Sequence, residues 1–169
     1  GLPGEVAGDL KKPTEWSGTS LNSMAYGYEV GVTPIQIAAA YAAIANHGVL
    51  MRPWILREVV SPDGEVLLEG KPQVIRRVVS KETAAMMTTF FEGVVQRGTG
   101  VPAQVEGLSI AGKTGTSRKV IEGRYEQNYT ASFVGFFPVE DPQVVCLVML
   151  DSPVKGGYTG GQASAPIFK

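Results

Sequence analysis

Cysteine and histidine are almost missing from this chain, whose 169 residues hold 1 Cys and 1 His. A single cysteine excludes an intrachain disulfide framework and any metal site built from several thiolates. Cys146 lies in the apolar run Val144 to Leu150, where a buried, inert thiol is expected. His47 stands between a helical stretch and Gly48, a helix-end position that the macrodipole favours, so histidine-based catalysis is not expected. Charge of one sign is lacking too. Lys+Arg 15 against Asp+Glu 16 leaves a net charge of -1, too little for a nucleic-acid footprint or a polybasic membrane patch. No stretch approaches the ~20 consecutive apolar residues of a spanning helix. The start, Gly1-Leu2-Pro3-Gly4-Glu5, has neither Met nor a basic-then-apolar leader pattern. With 44% hydrophobic and 18% charged residues the chain is too apolar to be disordered. A compact fold of this size buries roughly 70% of the surface of the unfolded chain, enough for one core.

The elements follow from local chemistry. The first 30 residues are rich in Gly, Pro, Ser and Thr without periodicity, and read as a long surface loop or a segment separated from a preceding partner. Thr33-Pro34-Ile35-Gln36 is a capping box that opens a helix over Pro34 to His47, stopped by Gly48. That helix is small and apolar nearly all round, which predicts burial, and exposure of its apolar face would invite self-association. Trp54 to Val60 and Glu65 to Leu68 predict a hairpin about Ser61-Pro62-Asp63-Gly64, and Val74 to Val79 another extended piece. Ser80 caps a second helix over Lys81 to Arg97, ended by Gly98-Thr99-Gly100, with Met86, Met87, Phe90 and Phe91 as a core stripe. Leu108 to Thr116, Tyr129 to Phe137 and Gln143 to Leu150 predict an antiparallel meander, with Glu140 and Asp141 in a solvated, proline-flanked turn. The fold class is α+β, an antiparallel sheet packed with helices.

One string carries chemistry, Ala111-Gly112-Lys113-Thr114-Gly115-Thr116-Ser117, and it admits two readings. Gly107 to Thr114 spells the phosphate-loop pattern G-x-x-x-x-G-K-[ST]. A phosphate loop needs a strand before the first glycine and a helix opening at the lysine, whereas Leu108 and Ile110 alternate like a strand and Gly115 interrupts any helix. The other reading is the K-T-G motif of active-site serine enzymes. A lysine on a strand supplies a positive field for a carboxylate substrate. Threonines at i and i+2 lie on one face of the strand and both can donate to that carboxylate, while Gly115 lets a substrate backbone approach.

Tyr26 to Gly48, Gly98-Thr99-Gly100, Ala111 to Thr116, Gly156-Gly157-Tyr158-Thr159-Gly160-Gly161 and Ala165-Pro166-Ile167-Phe168-Lys169 together resemble, in order, the transpeptidase domain of class B penicillin-binding proteins. The resemblance runs from Leu2 to Lys169. It implies the transpeptidase fold shared with serine β-lactamases, here incomplete at both ends, with residues 1–169 the C-terminal part of one domain. It further implies a membrane-anchored parent on the extracytoplasmic face of the cytoplasmic membrane. That parent would be a D,D-transpeptidase acting on stem peptides ending in D-Ala-D-Ala, acylated by β-lactams and working with a glycosyltransferase. No cofactor or metal, no nucleic acid and no membrane contact by these residues themselves are implied. Residue by residue, Lys113 resembles the motif lysine, Thr114 and Thr116 the carboxylate-binding hydroxyls, and the Thr116 N–H one half of the oxyanion hole.

Arg118, two positions further on the same alternation, reads either as a contact to acidic substituents or as a solvated strand-end charge. Tyr125, Asn128 and Tyr129 are candidates for the mouth of the cleft. Such enzymes also need S-x-x-K, with the nucleophile, and S-x-N. Ser152-Pro153-Val154-Lys155 and Ser20-Leu21-Asn22 fit these by letters, but the first reads as a loop after a strand and the second as part of the early polar loop. Both are expected to be coincidences, leaving the chain without its nucleophile and inactive alone. A non-catalytic scaffold of the same fold is the alternative reading, and a nucleotide binder the remote one.

Overall fold

The computed structural model describes residues 4–121 and 124–169, and the chain divides into two compact units, Gly1–Ile37 and Ala38–Lys169. The first unit is more ordered than its composition announces. Strand β1 (Asp9–Leu10), a 3-10 turn at Pro13–Glu15, helix α1 (Ser20–Ala25) and strand β2 (Val30–Gly31) follow in turn, and β1 pairs antiparallel with β2. Lys11 Nζ donates to Glu29 Oε2 at 2.8 Å and the Ser20 hydroxyl donates to the same oxygen at 3.0 Å. Lys11 first, then Ser20, holds the Glu29 carboxyl below the usual carboxylate range. The expected loop is thus tied by side-chain bonds between residues far apart in the chain, which local composition does not reveal.

The Thr33 N–H donates to Gln36 Oε1 at 2.8 Å and the Gln36 N–H to Thr33 Oγ1 at 3.3 Å, the reciprocal box that opens helix α2 (Pro34–Ala45). The helix ends earlier than expected. His47 at φ 52° and Gly48 at φ 85° both turn left-handed, and the Gly48 N–H reaches back to the Ala43 carbonyl at 2.7 Å. That closure is a Schellman motif with His47 at its left-handed residue, so the lone histidine is a helix stop.

In the second unit, strands β3 (Val49–Met51), β4 (Glu58–Val60), β5 (Val66–Glu69) and β6 (Val74–Arg77) form two antiparallel pairs, β4 with β5 and β3 with β6. The hairpin is shorter than expected, since Trp54 to Arg57 lies outside β4. Helix α3 spans Lys81–Arg97, as its cap predicts, with Ser80 Oγ accepting from the Thr83 N–H at 3.1 Å. Ser80→Ala removes that acceptor and is expected to destabilise the protein by about 1 kcal/mol, read as a lower urea midpoint at unchanged slope. An unchanged midpoint would show that the cap carries no weight.

The expected four-residue core stripe on α3 is only partly inside. Ala84 and Val95 are buried and Met87 and Phe91 half-buried, but Met86 and Phe90 are each 61% exposed. A helix packed on one side buries one stripe of roughly 100°, and residues one position earlier rotate out of it. Helix α2 is corrected for the same reason: only its Ala43 is buried. Tyr41 stacks on Phe91 at 5.0 Å between ring centres, and burial pushes the Tyr41 hydroxyl up to about 12.

Strands β7 (Ala111–Ile121), β8 (Arg124–Phe137) and β9 (Val144–Asp151) make the expected meander, in the order β7-β8-β9. β7 starts later than expected, with Leu108 to Ile110 outside it. Both β7 and β8 continue beyond the expected bounds into an arm whose Ser117, Arg118 and Glu126 to Asn128 are polar and exposed. On one face lies the core of Val95, Ala103, Ile110, Phe133 and Ala165, onto which Phe168 of helix α4 (Ala165–Phe168) packs edge to face at 4.8 Å. Cys146 of β9 is half-buried rather than buried. Glu140 and Asp141 are exposed as expected, and the Ser109 hydroxyl donates to Glu140, holding its carboxyl below the usual range. The α+β class is borne out. Among the described residues no helix is long and apolar enough to cross a membrane.

Candidate active site

Lys113, Thr114, Gly115, Thr116 and Arg118 all lie on β7, and no helix follows the lysine. The phosphate-loop reading therefore fails, because its geometry needs amides of a loop and a helix N-terminus aimed at the phosphates. Among the described residues β7 pairs only with β8, so its other edge presents unpaired backbone groups. Lys113 is exposed, and its ammonium donates to the Thr114 carbonyl at 2.8 Å.

Strand alternation puts Thr114, Thr116 and Arg118 on one face and Lys113 and Gly115 on the other. Each threonine hydroxyl meets a partner from another element. Thr116 Oγ1 accepts from the Gly160 N–H at 3.1 Å, and Thr114 Oγ1 lies 2.7 Å from Thr99 Oγ1. A hydroxyl has one proton and two acceptor sites. Thr116, accepting from an N–H, keeps its proton for a further acceptor.

Gly160 opens a π-helical turn (Gly160–Ser164), and its Cα rests against the backbone of Gly115 and Ser132. Beside Gly115, by contrast, a Cβ meets the Ser132 hydroxyl at 2.5 Å, a group that can rotate away. The absent side chain at Gly115 thus leaves room on the strand without a backbone clash.

Arg118 is exposed and donates from Nε to the Glu126 carbonyl at 3.3 Å across the hairpin. Its cross-strand neighbour Tyr129 stacks on Tyr158 with ring centres 4.4 Å apart. Asn128 is exposed on the same strand, and the Tyr125 side chain lies outside the described residues.

The two letter-matches behave differently. Ser152 follows β9 at φ 50° and its hydroxyl donates to Asp151 Oδ1 at 3.1 Å, so Ser152 and Lys155 do not share a helix face. Ser20, by contrast, opens α1 rather than lying in a loop, and is buried with its hydroxyl given to Glu29. Sequence reasoning passed over Thr99 and Gly160 as site residues. Gly98-Thr99-Gly100 reads as a helix end and the Gly156 to Gly161 run enters only as part of the family resemblance, and nothing local says which strand either touches. Among the described residues no group of His, Cys, Asp and Glu could hold a metal.

Among the described residues, Lys-Thr-Gly-Thr thus lies on an edge strand of an α+β unit, braced on one face by the threonine past α3 and by the glycine turn. The family model for the penicillin-binding protein transpeptidase domain matches residues 1–169, and the chain belongs to that family. It is 39% identical over 179 residues to penicillin-binding protein PbpB of Mycolicibacterium smegmatis, covering 99% of this chain and 28% of that protein. It is 33% identical to the probable peptidoglycan D,D-transpeptidase PenA of Neisseria flavescens, covering 100% of this chain and 40% of that one. Penicillin-binding protein 3 from Mycobacterium tuberculosis, in complex with aztreonam, superposes with a TM-score of 0.89 at 37% identity, covering 99% of this chain and 40% of its own. The chain thus spans between 28% and 40% of the length of these relatives.

Proposed function

We propose that these residues form one wall of a peptidoglycan D,D-transpeptidase that also binds β-lactams, as the C-terminal part of a single transpeptidase domain. The observation that carries the reading is the K-T-G-T edge strand with its two braced hydroxyls, in a chain of this family. The nucleophilic serine of an S-x-x-K helix and the S-x-N motif come from residues outside these 169. That serine attacks the carbonyl of the penultimate D-alanine, the terminal D-alanine leaves, and the acyl group passes to an acceptor amine.

Thr114 and Thr116 donate to the terminal carboxylate, and Lys113 supplies positive field beside it. The Thr116 N–H serves as one oxyanion donor, aimed where charge develops on the attacked carbonyl. Gly115 leaves the strand edge open to the substrate backbone, and Arg118 faces acidic substituents at the far end of the same face. The work is done outside the cytoplasmic membrane, by a protein anchored through a segment not among these residues, beside a glycosyltransferase that supplies the glycan strands.

The test is covalent labelling with a fluorescent penicillin. These 169 residues alone are expected to take no label, and the longer polypeptide that adds a helical S-x-x-K is expected to label. A stoichiometric adduct on the chain alone, at Ser152 or elsewhere, would falsify the assignment of the nucleophile to residues outside it.

A further inference from the structure

Thr99 is placed where a positioning residue would be. It sits just past α3, between two glycines whose N–H groups both donate to the Val94 carbonyl at 3.0 Å, so its backbone is held on the helix end. From there its hydroxyl comes within 2.7 Å of Thr114 Oγ1, at the ordinary length of an O–H···O bond. The direction of that bond decides whether Thr114 has a proton to offer. If Thr114 donates to Thr99, its single proton is spent inside the protein. If Thr99 donates to Thr114, the Thr114 proton is turned outward. At Thr116 the matter is already decided, because its partner is a backbone N–H and can only donate.

We infer that Thr99 is a positioning residue that donates its hydroxyl proton to Thr114, aligning the Thr114 O–H for a substrate or β-lactam carboxylate just as Gly160 aligns that of Thr116. The inference rests on the reading of Thr114 as a carboxylate donor. The two hydroxyls then work as a pair, each with an acceptor site filled by a donor from a different element. Neither has to reorient when a carboxylate arrives, so less order is lost on binding.

Acylation of the intact protein by benzylpenicillin and by its carboxylate methyl ester separates the possibilities. Thr99→Val is expected to slow acylation by benzylpenicillin about tenfold, the worth of one aligned hydrogen bond to a charged group, and to leave the ester rate unchanged. Thr99→Ser keeps the hydroxyl and is expected to restore the benzylpenicillin rate to within about twofold. On a Thr114→Val background, Thr99→Val is expected to add nothing, because its effect passes through Thr114. Equal slowing of acid and ester, failure of serine to rescue, or additivity on that background overturns the inference. If Thr114→Val loses carboxylate preference and Thr99→Val does not, the positioning role alone falls. If Thr114→Val keeps full preference, the carboxylate reading of Thr114 falls and takes this one with it.

Discussion

Lys113→Met is expected to slow acylation of the intact protein by benzylpenicillin by about 10²- to 10³-fold, the usual cost of removing one group that stabilises charge at the reacting centre. The unfolding midpoint should barely move, because the ammonium is exposed and its bond to the Thr114 carbonyl is a surface contact. Lys113→Arg should not rescue fully, since a planar guanidinium does not place its charge where a compact ammonium does. Stopped-flow acylation beside a thermal melt checks both halves. A rate within a few-fold of the parent would remove Lys113 from the chemistry and leave its strand a structural edge.

Gly160→Ala is expected to be strongly destabilising. A Cβ at that position runs into the Ser132 carbonyl and lies 2.5 Å and 2.9 Å from the carbonyl oxygen and nitrogen of Gly115. These are backbone atoms of paired strands β7 and β8, so they cannot swing aside as a side chain does. The π-helical turn must lift away, breaking the bond from the Gly160 N–H to Thr116. The expected cost is about 3 kcal/mol, at the upper end for overpacking, together with a slower acylation rate. Gly115→Ala is the control: its only close obstacle is the Ser132 hydroxyl, and the urea midpoint should shift far less. If Gly160→Ala unfolds at the parent midpoint, the turn is not pressed against the strands as described.

Where one stretch of chain contains all the information, the sequence was legible. The bounds of α3 follow from Ser80 and its helix-period pattern, and the start of α2 from the Thr33 and Gln36 box, because both depend on residues three or four apart. The meander was legible for a similar reason, a short proline-rich link between two apolar runs. Its hairpin arm was not, since Ser117, Arg118 and Glu126 to Asn128 are polar and exposed and carry no burial signal. The pairing of β3 with β6 joins residues more than twenty positions apart and leaves no mark in either strand. Burial was overestimated on α2 and α3, because an apolar residue reports what it can bury and not what covers it.

The order of motifs around Lys113-Thr114-Gly115-Thr116 determined, from the sequence by itself, the fold class and the family to which the chain belongs. It also placed the lysine and the two hydroxyls on one strand, since a period of two is a local property of the backbone. Tertiary structure alone decided what braces those hydroxyls. Thr99 lies fifteen positions from Thr114 and Gly160 forty-four from Thr116, and they meet only because α3 and the glycine turn pack on the same face of β7. A hydrogen bond depends on distances of tenths of an ångström, and across such separations those distances are set by the packed core and not by the residues' own neighbours.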